Sequence, residues 1–390
     1  MADDLLREVE RIRPTLEECG ARAERDRMLP DAAYDAMLDA GLFRMLAPKA
    51  YGGLELHPGP ALHVLEALAR IDSSAGWNLC ISAATAAFAA WLPKQGGDEL
   101  YDRSPDTIFA GGFFPPGPSV PVPGGWRVTA RTAFASGCQR AQWFAVPLIE
   151  VDDESSKYDP HTQDPPHILA FVPRDEVDIV DTWHTVGMRG TFSADVSVDD
   201  VFVPERRIAR LEPRSERAPA FSGPLYGTLP WFGTHGETAV SLGIATAAID
   251  RLVELAARKT PRYTRTPLHD RARAQHNAAK ASALVDASRV FLHSAISQAY
   301  ADAERERWCS DATRIRCQLA ACFGAQSCAE AVDLVYEAAG TSAIRIEHGI
   351  ERHHRDVHTL TQHVTHSYAR YEDAGRLLFG LPPDFFLLEF

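Results

Sequence analysis

Residues 183–204 read WHTVGMRGTFSADVSVDDVFVP. Val186-Gly187-Met188-Arg189-Gly190-Thr191 has the composition of a tight turn, with two glycines flanking an apolar residue and an arginine. From Ala194 onward, Val196 and Val198 alternate with Ser197 and Asp199, the period of a strand buried on one face. The acidic pair Asp199-Asp200 marks a corner, and Val201-Phe202-Val203 leads to an exit at Pro204.

Outward from this stretch, residues 106–215 keep the same character. Gly and Pro clusters punctuate β-rich runs at Thr107–Phe113, Trp126–Arg131, Trp143–Val151 and His167–Val172. They predict a compact β-domain. Asp152–Pro166 reads as a long surface loop between strands. Residues 1–105 read as helical: Leu5, Leu6, Val9 and Ile12 recur at helical spacing, and Pro30-Asp31 opens a helix that closes at Gly41. Trp77–Trp91 is apolar or small almost throughout, as in a helix buried on all sides. Residues 216–390 return to helix. Thr238–Ala257 is apolar on nearly every side and predicts a place deep in a bundle or at a subunit interface. A second run follows from Ala281 to Ala299, and a third from Asp311 to Ala338, capped by Gly340. Helices, strands, then a helical bundle make an α+β fold of three domains, 1–105, 106–215 and 216–390.

The 390 residues carry 40 basic and 53 acidic side chains, a net charge of −13. An acidic chain argues against non-specific binding to nucleic acid or anionic membrane. The charged, amphipathic N-terminus is unlike a signal peptide, and the apolar runs are too short or too interrupted to cross a bilayer. Seven cysteines without a CxxC spacing read as reduced, mostly buried thiols in a cytoplasmic protein; Cys138 is either a core thiol or a reactive one. No GxGxxG or P-loop is present, so no tight NAD(P)H site is expected.

Four segments, in order, resemble the acyl-CoA dehydrogenase superfamily. They are Leu46-Ala47-Pro48-Lys49-Ala50-Tyr51-Gly52-Gly53-Leu54; Gly125-Trp126-Arg127-Val128 with Phe134-Ala135-Ser136-Gly137; the 183–204 stretch; and Ala338-Ala339-Gly340-Thr341-Ser342 with Ile350-Glu351-Arg352 and Arg355-Asp356-Val357-His358. Within the superfamily, Phe-Ala-Ser-Gly and Gly-Met-Arg-Gly-Thr are closest to its flavin-dependent monooxygenases. These include the oxygenase components of two-component phenol hydroxylases and dibenzothiophene monooxygenase. The resemblance implies an N-terminal helical domain, a middle β-barrel domain and a C-terminal four-helix bundle, assembled as a homotetramer.

It also implies a chemistry: reduced flavin (FMNH2 or FADH2) from a separate flavin reductase reacts with O2 to a C4a-hydroperoxyflavin, which oxygenates a small organic substrate. An aromatic or polycyclic phenol comes first; N-oxygenation of an amino sugar or oxidation of a sulfur heterocycle are the other options. Ser136 read alone is a turn serine before Gly137; on the resemblance its hydroxyl bonds flavin N5, with Phe134, Ala135 and Gly137 along the ring edge. Trp183 and Trp143 fit β-domain edges that wrap a flavin, or are plain packing. Arg262, with Arg265, and the Gly340 turn match segments that reach cofactor phosphates, although the spacing differs from the dehydrogenase pattern.

An acyl-CoA dehydrogenase needs a carboxylate base after its Arg-Asp segment, and the matching position here is Val364. The earlier alternative, Glu237, falls out of register and reads as a solvated or capping residue near a helix start. His363, beside the vacant position, is the candidate for proton transfer and substrate contact. The related oxygenases carry a histidine on the buried first-domain helix; Thr85 stands there in this chain. Phe113 and Phe114 line the substrate cavity or belong to the core. His354/His358 and His363/His366 have ligand-like helical spacing, but flavin chemistry needs no metal and none is expected.

Overall fold

A computed structural model describes residues 2–151 and 167–389; the expected 152–166 loop lies outside them. Five helices come first: α1 (Ala2–Asp26), α2 (Asp31–Asp39), α3 (Pro58–Ile71), α4 (Ser73–Ala87) and α5 (Lys94–Leu100). Leu5, Val9, Ile12, Leu16 and Ala23 put one stripe of α1 into the core, as their spacing requires. Asp72 caps α4 by accepting from Ala75 N at 3.0 Å, and most of α4 is buried.

Eight strands follow: β1 (Phe109–Gly111), β2 (Gly117–Val122), β3 (Gly125–Ala135), β4 (Trp143–Glu150), β5 (Ile168–Pro173), β6 (Asp178–Val180), β7 (Ala194–Pro204) and β8 (Ile208–Arg210). They form one mixed sheet in the order β6-β7-β3-β2-β4-β5-β8, with β1 parallel to β4. Four strand spacings along that path would hold β5 about 19 Å from β7 in a flat sheet. Cα atoms of the two strands nevertheless approach within 8 Å, so the sheet curls into the expected barrel-like shape. β3 and β7 run antiparallel with Ala130 opposite Val198 and Ala135 opposite Ala194.

The remaining helices are α6 (Pro224–Gly227), α7 (Trp231–Arg258), α8 (Ala272–Glu306), α9 (Asp311–Ala339), α10 (Ile350–Leu360) and α11 (Ala369–Leu378). α7, α8 and α9 pack side by side, and α10 lies against α7 and α9 to complete the bundle. From Trp231 to Ala245 every residue of α7 is buried, because α3 and α4 cover the face that the bundle leaves open. Among the described residues, no helix is long and apolar enough to cross a membrane.

Candidate active site

The turn quoted at the outset, Val186–Thr191, is pinned from two sides. Asp356 on α10 is buried; one carboxylate oxygen accepts from Met188 N and the other from Ser73 Oγ on α4, each at 2.6 Å. Arg352 reaches both Asp72 (2.9 Å) and Asp356 (3.4 Å). The glycines are there because the approach is close. A Cβ on Gly187 would fall 2.3 Å from Arg355 O, and one on Gly190 would fall 2.8 Å from Ser74 Oγ. Phe134, Met188 and Phe192 all hold positive φ (64°, 51° and 45°). Strained backbone on both neighbouring segments marks a place whose shape is fixed by its surroundings.

Ser136 follows β3 and faces this turn. Trp77 Nε1 on α4 donates to Ser136 Oγ at 2.9 Å. Ser136 Oγ lies 2.7 Å from Ser193 Oγ, which lies 2.7 Å from Thr191 Oγ1. Thr191 Oγ1 donates to Met188 O at 2.8 Å. Trp183 donates its indole N–H to the same carbonyl at 3.0 Å and meets Phe134 edge to face, with ring centroids 6.2 Å apart. Phe134, Ala135, Ser136, Gly137 and Trp183 are thus brought together beside the Val186–Thr191 turn.

Trp77 also meets His363, edge to face, at 5.3 Å between centroids. Here one expectation is overturned. Glu237 is neither solvated nor a cap: it is buried on α7, with its Oε2 3.1 Å from His363 Nδ1 and 3.8 Å from His366 Nε2. Thr365 Oγ1 donates to the same oxygen and sits 2.8 Å from His363 Nδ1. With its proton on the carboxylate, the Thr365 oxygen can only accept, and so can the carboxylate. Nδ1 therefore carries the hydrogen, and Nε2 is the basic atom.

Burial opposes charge on both partners, yet the charge and hydrogen bond of His363 hold Glu237 below its ordinary pKa, and Glu237 raises that of His363 despite burial. His366 is pushed down, by burial first. Glu237 Oε2 is thus engaged by Thr365 and His363 together. Val364 is half exposed beside His363.

The substrate candidates follow α4. Trp77, Ile81 and Ala84 fall on one face of α4, and Phe88, directly after the helix, touches Phe113 at 5.1 Å between centroids. At 1.5 Å per residue the stripe runs about 16 Å from Trp77 to Phe88. Thr85 is buried beside it, whereas Phe114 is exposed. Arg262 and Gly340 do not join the Ser136 group. They line a separate open cleft of about 880 Å³ with Lys259, Arg271, Arg273 and Arg345. Trp143 is stacked under Arg207 at 5.0 Å, a packing role. All seven cysteines are free and buried, and burial pushes the Cys138 thiol up to about 12, which disfavours its thiolate. His354 and His358 both face Asp333 Oδ1, at 3.2 and 2.8 Å.

Ser136 Oγ, bonded by Trp77 and Ser193, lies near the Phe134–Trp183 pair in sequence and through the Val186–Thr191 turn. An aromatic wall with a buried acceptor fits the edge of a flavin ring. The sequence comparisons agree. Residues 7–104 match the acyl-CoA dehydrogenase N-terminal domain and residues 236–368 its C-terminal domain. The chain belongs to the acyl-CoA dehydrogenase superfamily, in its flavin-dependent monooxygenase branch.

It is 32% identical to indole-3-acetate monooxygenase of Pseudomonas putida, over 92% of this chain and 90% of that one. The crystal structure of the HsaA monooxygenase of Mycobacterium tuberculosis superimposes with a TM-score of 0.86 at 26% identity, covering 99% of each chain. XiaF of a Streptomyces species, solved with FADH2 and glycerol, gives 0.88 at 25% identity over 98% of this chain and 97% of that one. The protein is a flavin-dependent monooxygenase, and its cofactor is a flavin.

Proposed function

We propose that this chain is the oxygenase component of a two-component system that hydroxylates an aromatic substrate, a phenol or an indole, with reduced flavin from a separate reductase. Relatives named as an indole-3-acetate monooxygenase and as an oxygenase subunit support this reading. The observation that carries it is Trp77, whose indole joins Ser136 on one side to His363 on the other. One ring thus ties the hydroxyl assigned to the flavin to the imidazole assigned to the substrate.

Bound reduced flavin supplies activation of O2 and delivery of one oxygen atom. The chain's own residues do the rest. Ser136 would hold the flavin at N5, as an acceptor, and Phe134, Ala135, Gly137 and Trp183 would hold the ring. His363 Nε2 takes the proton of the substrate O–H or N–H, and Glu237 stabilises the imidazolium that forms. Thr85, Phe113 and Phe114 bound the substrate space along α4. Arg262 and the Gly340 turn receive cofactor phosphates across a subunit boundary in a homotetramer, in a cytoplasmic setting. The three domains divide near residues 105 and 215.

The test supplies photoreduced FMN or FAD and then oxygen, with a panel of phenols and indoles, and follows hydroxylated product against hydrogen peroxide. Peroxide alone across the panel would overturn the reading. His363→Ala should lower hydroxylation at least tenfold while leaving flavin binding nearly intact. Equal loss of both would remove His363 from proton transfer.

A further inference from the structure

The hydroxyl chain behind Ser136 has a direction. Met188 O can only accept, so the 2.8 Å contact uses the single proton of Thr191. Thr191 must then accept from Ser193, and Ser193 from Ser136. At the far end Trp77 Nε1 can only donate, and it does so to Ser136 Oγ. Each hydroxyl has one proton, and although Met188 O also accepts from Trp183, no hydroxyl can reverse without giving up one of these contacts. Ser136, Ser193 and Thr191 are all buried, which keeps water from offering substitute partners.

We propose that Ser193 and Thr191 are positioning residues that hold Ser136 as an acceptor only and so make the site favour reduced over oxidised flavin. The proposal rests on the placement of Ser136 at N5. Reduced flavin carries a hydrogen on N5 and can donate to the remaining lone pair of Ser136. Oxidised flavin presents a bare N5 that needs a donor. Ser136 can supply one only by withdrawing its proton from Ser193, which gives up a buried hydrogen bond. A free serine hydroxyl would serve both redox states; this one serves the state in which the oxygenase receives its cofactor.

The experiment measures dissociation constants for oxidised flavin in air and for photoreduced flavin without oxygen, together with the midpoint potential of the bound flavin. Ser193→Ala frees the Ser136 proton. It should tighten oxidised flavin about tenfold with little change in reduced flavin, and lower the potential by about 30 mV, the two-electron equivalent of that ratio. Thr191→Val, which removes the acceptor for Ser193, should shift the ratio in the same direction and covers the event that Ser193→Ala does not fold. Ser193→Thr keeps the hydroxyl and should keep the wild-type ratio. An unchanged ratio in both Ser193→Ala and Thr191→Val, with Ser136→Ala altering flavin affinity, overturns the relay alone. Unchanged affinities in Ser136→Ala overturn the placement of Ser136 at N5 and the relay with it.

Discussion

Glu237 and His363 titrate as partners, and their shifts fix a pH window. The pKa of Glu237 is lowered, so its share of the stability is present above its ordinary 4.5 and is lost as pH falls through the lowered value. That of His363 is raised, so its share is complete below 6.5 and is lost as pH rises through the raised value. The pair therefore contributes fully between about 4.5 and 6.5 and fades on the alkaline side. Glu237→Gln should cost about 1–3 kcal/mol near pH 6, the penalty of a poorly satisfied buried group, because His363 can shed its proton rather than stay charged. The deficit should shrink as pH rises beyond the His363 transition. Thermal unfolding of both proteins across pH checks this, and a deficit constant with pH would show that the pair is not ionic. The sequence showed His363 through its place after the Arg-Asp segment. It named Glu237 but not its pairing with His363, since 126 residues and a change of element separate the two, and only the packing of α7 on the following turn joins them. Thr191, Ser193 and Trp77 were hidden for the same reason. Small hydroxyls and a lone indole carry no periodic signal, and their partners are set by the approach of three elements.

The elements themselves were mostly legible, since their cause is local. The five predicted strands that lie among the described residues appear where alternation and Gly/Pro punctuation put them, and α9 ends at Gly340. β2 was missed, and Pro118 and Pro121 are the reason, since proline cannot donate to a ladder. The strand tolerates them because it pairs with β4 over Gly117–Ser119 and with β3 over Ser119–Val122, so only Ser119 is bonded on both sides. β6 and β8 are three residues each, too short for a period to show. The Val186–Thr191 turn was legible as a motif but not as a junction. Its place between α4 and α10 gives Gly187→Ala a definite cost. The added methyl must displace the backbone carbonyl of Arg355, a strain of about 1–3 kcal/mol. Met188 and Asp356 should move with it, so flavin affinity should fall alongside the melting temperature. A variant as stable as the parent, with unaltered flavin binding, would mean that the turn yields freely and does not order the site.

The whole molecule carries a net charge of −13, yet one cleft runs against that field. Lys259, Arg262, Arg271, Arg273 and Arg345 line it against only Glu337 and Glu347. Arg273 is paired with Glu337 at 2.6 Å and Arg345 with Glu347 at 3.4 Å, which leaves Arg262 and Arg271 as the cations most open to an anion. The cleft is separate from the Ser136 group, so a flavin held at Ser136 in the same chain is not what its cations are placed to bind. Exposed Tyr263, Ile344 and Ile346 border it, and large apolar side chains on a charged rim suit contact with another copy. If a homotetramer forms and the cofactor is FAD, a neighbour's diphosphate is the anion that fits. Arg262→Glu should then weaken FADH2 about tenfold, the loss of one charge-assisted bond plus a repulsion. FMNH2, which lacks the adenylate, should bind as before. The FADH2 deficit should also narrow at high salt, because an open cleft is screened. Light scattering of the same samples reports whether the assembly survives. Loss of both affinities with the assembly intact would assign the cleft to the flavin mononucleotide itself, and loss of neither would remove Arg262 from cofactor binding.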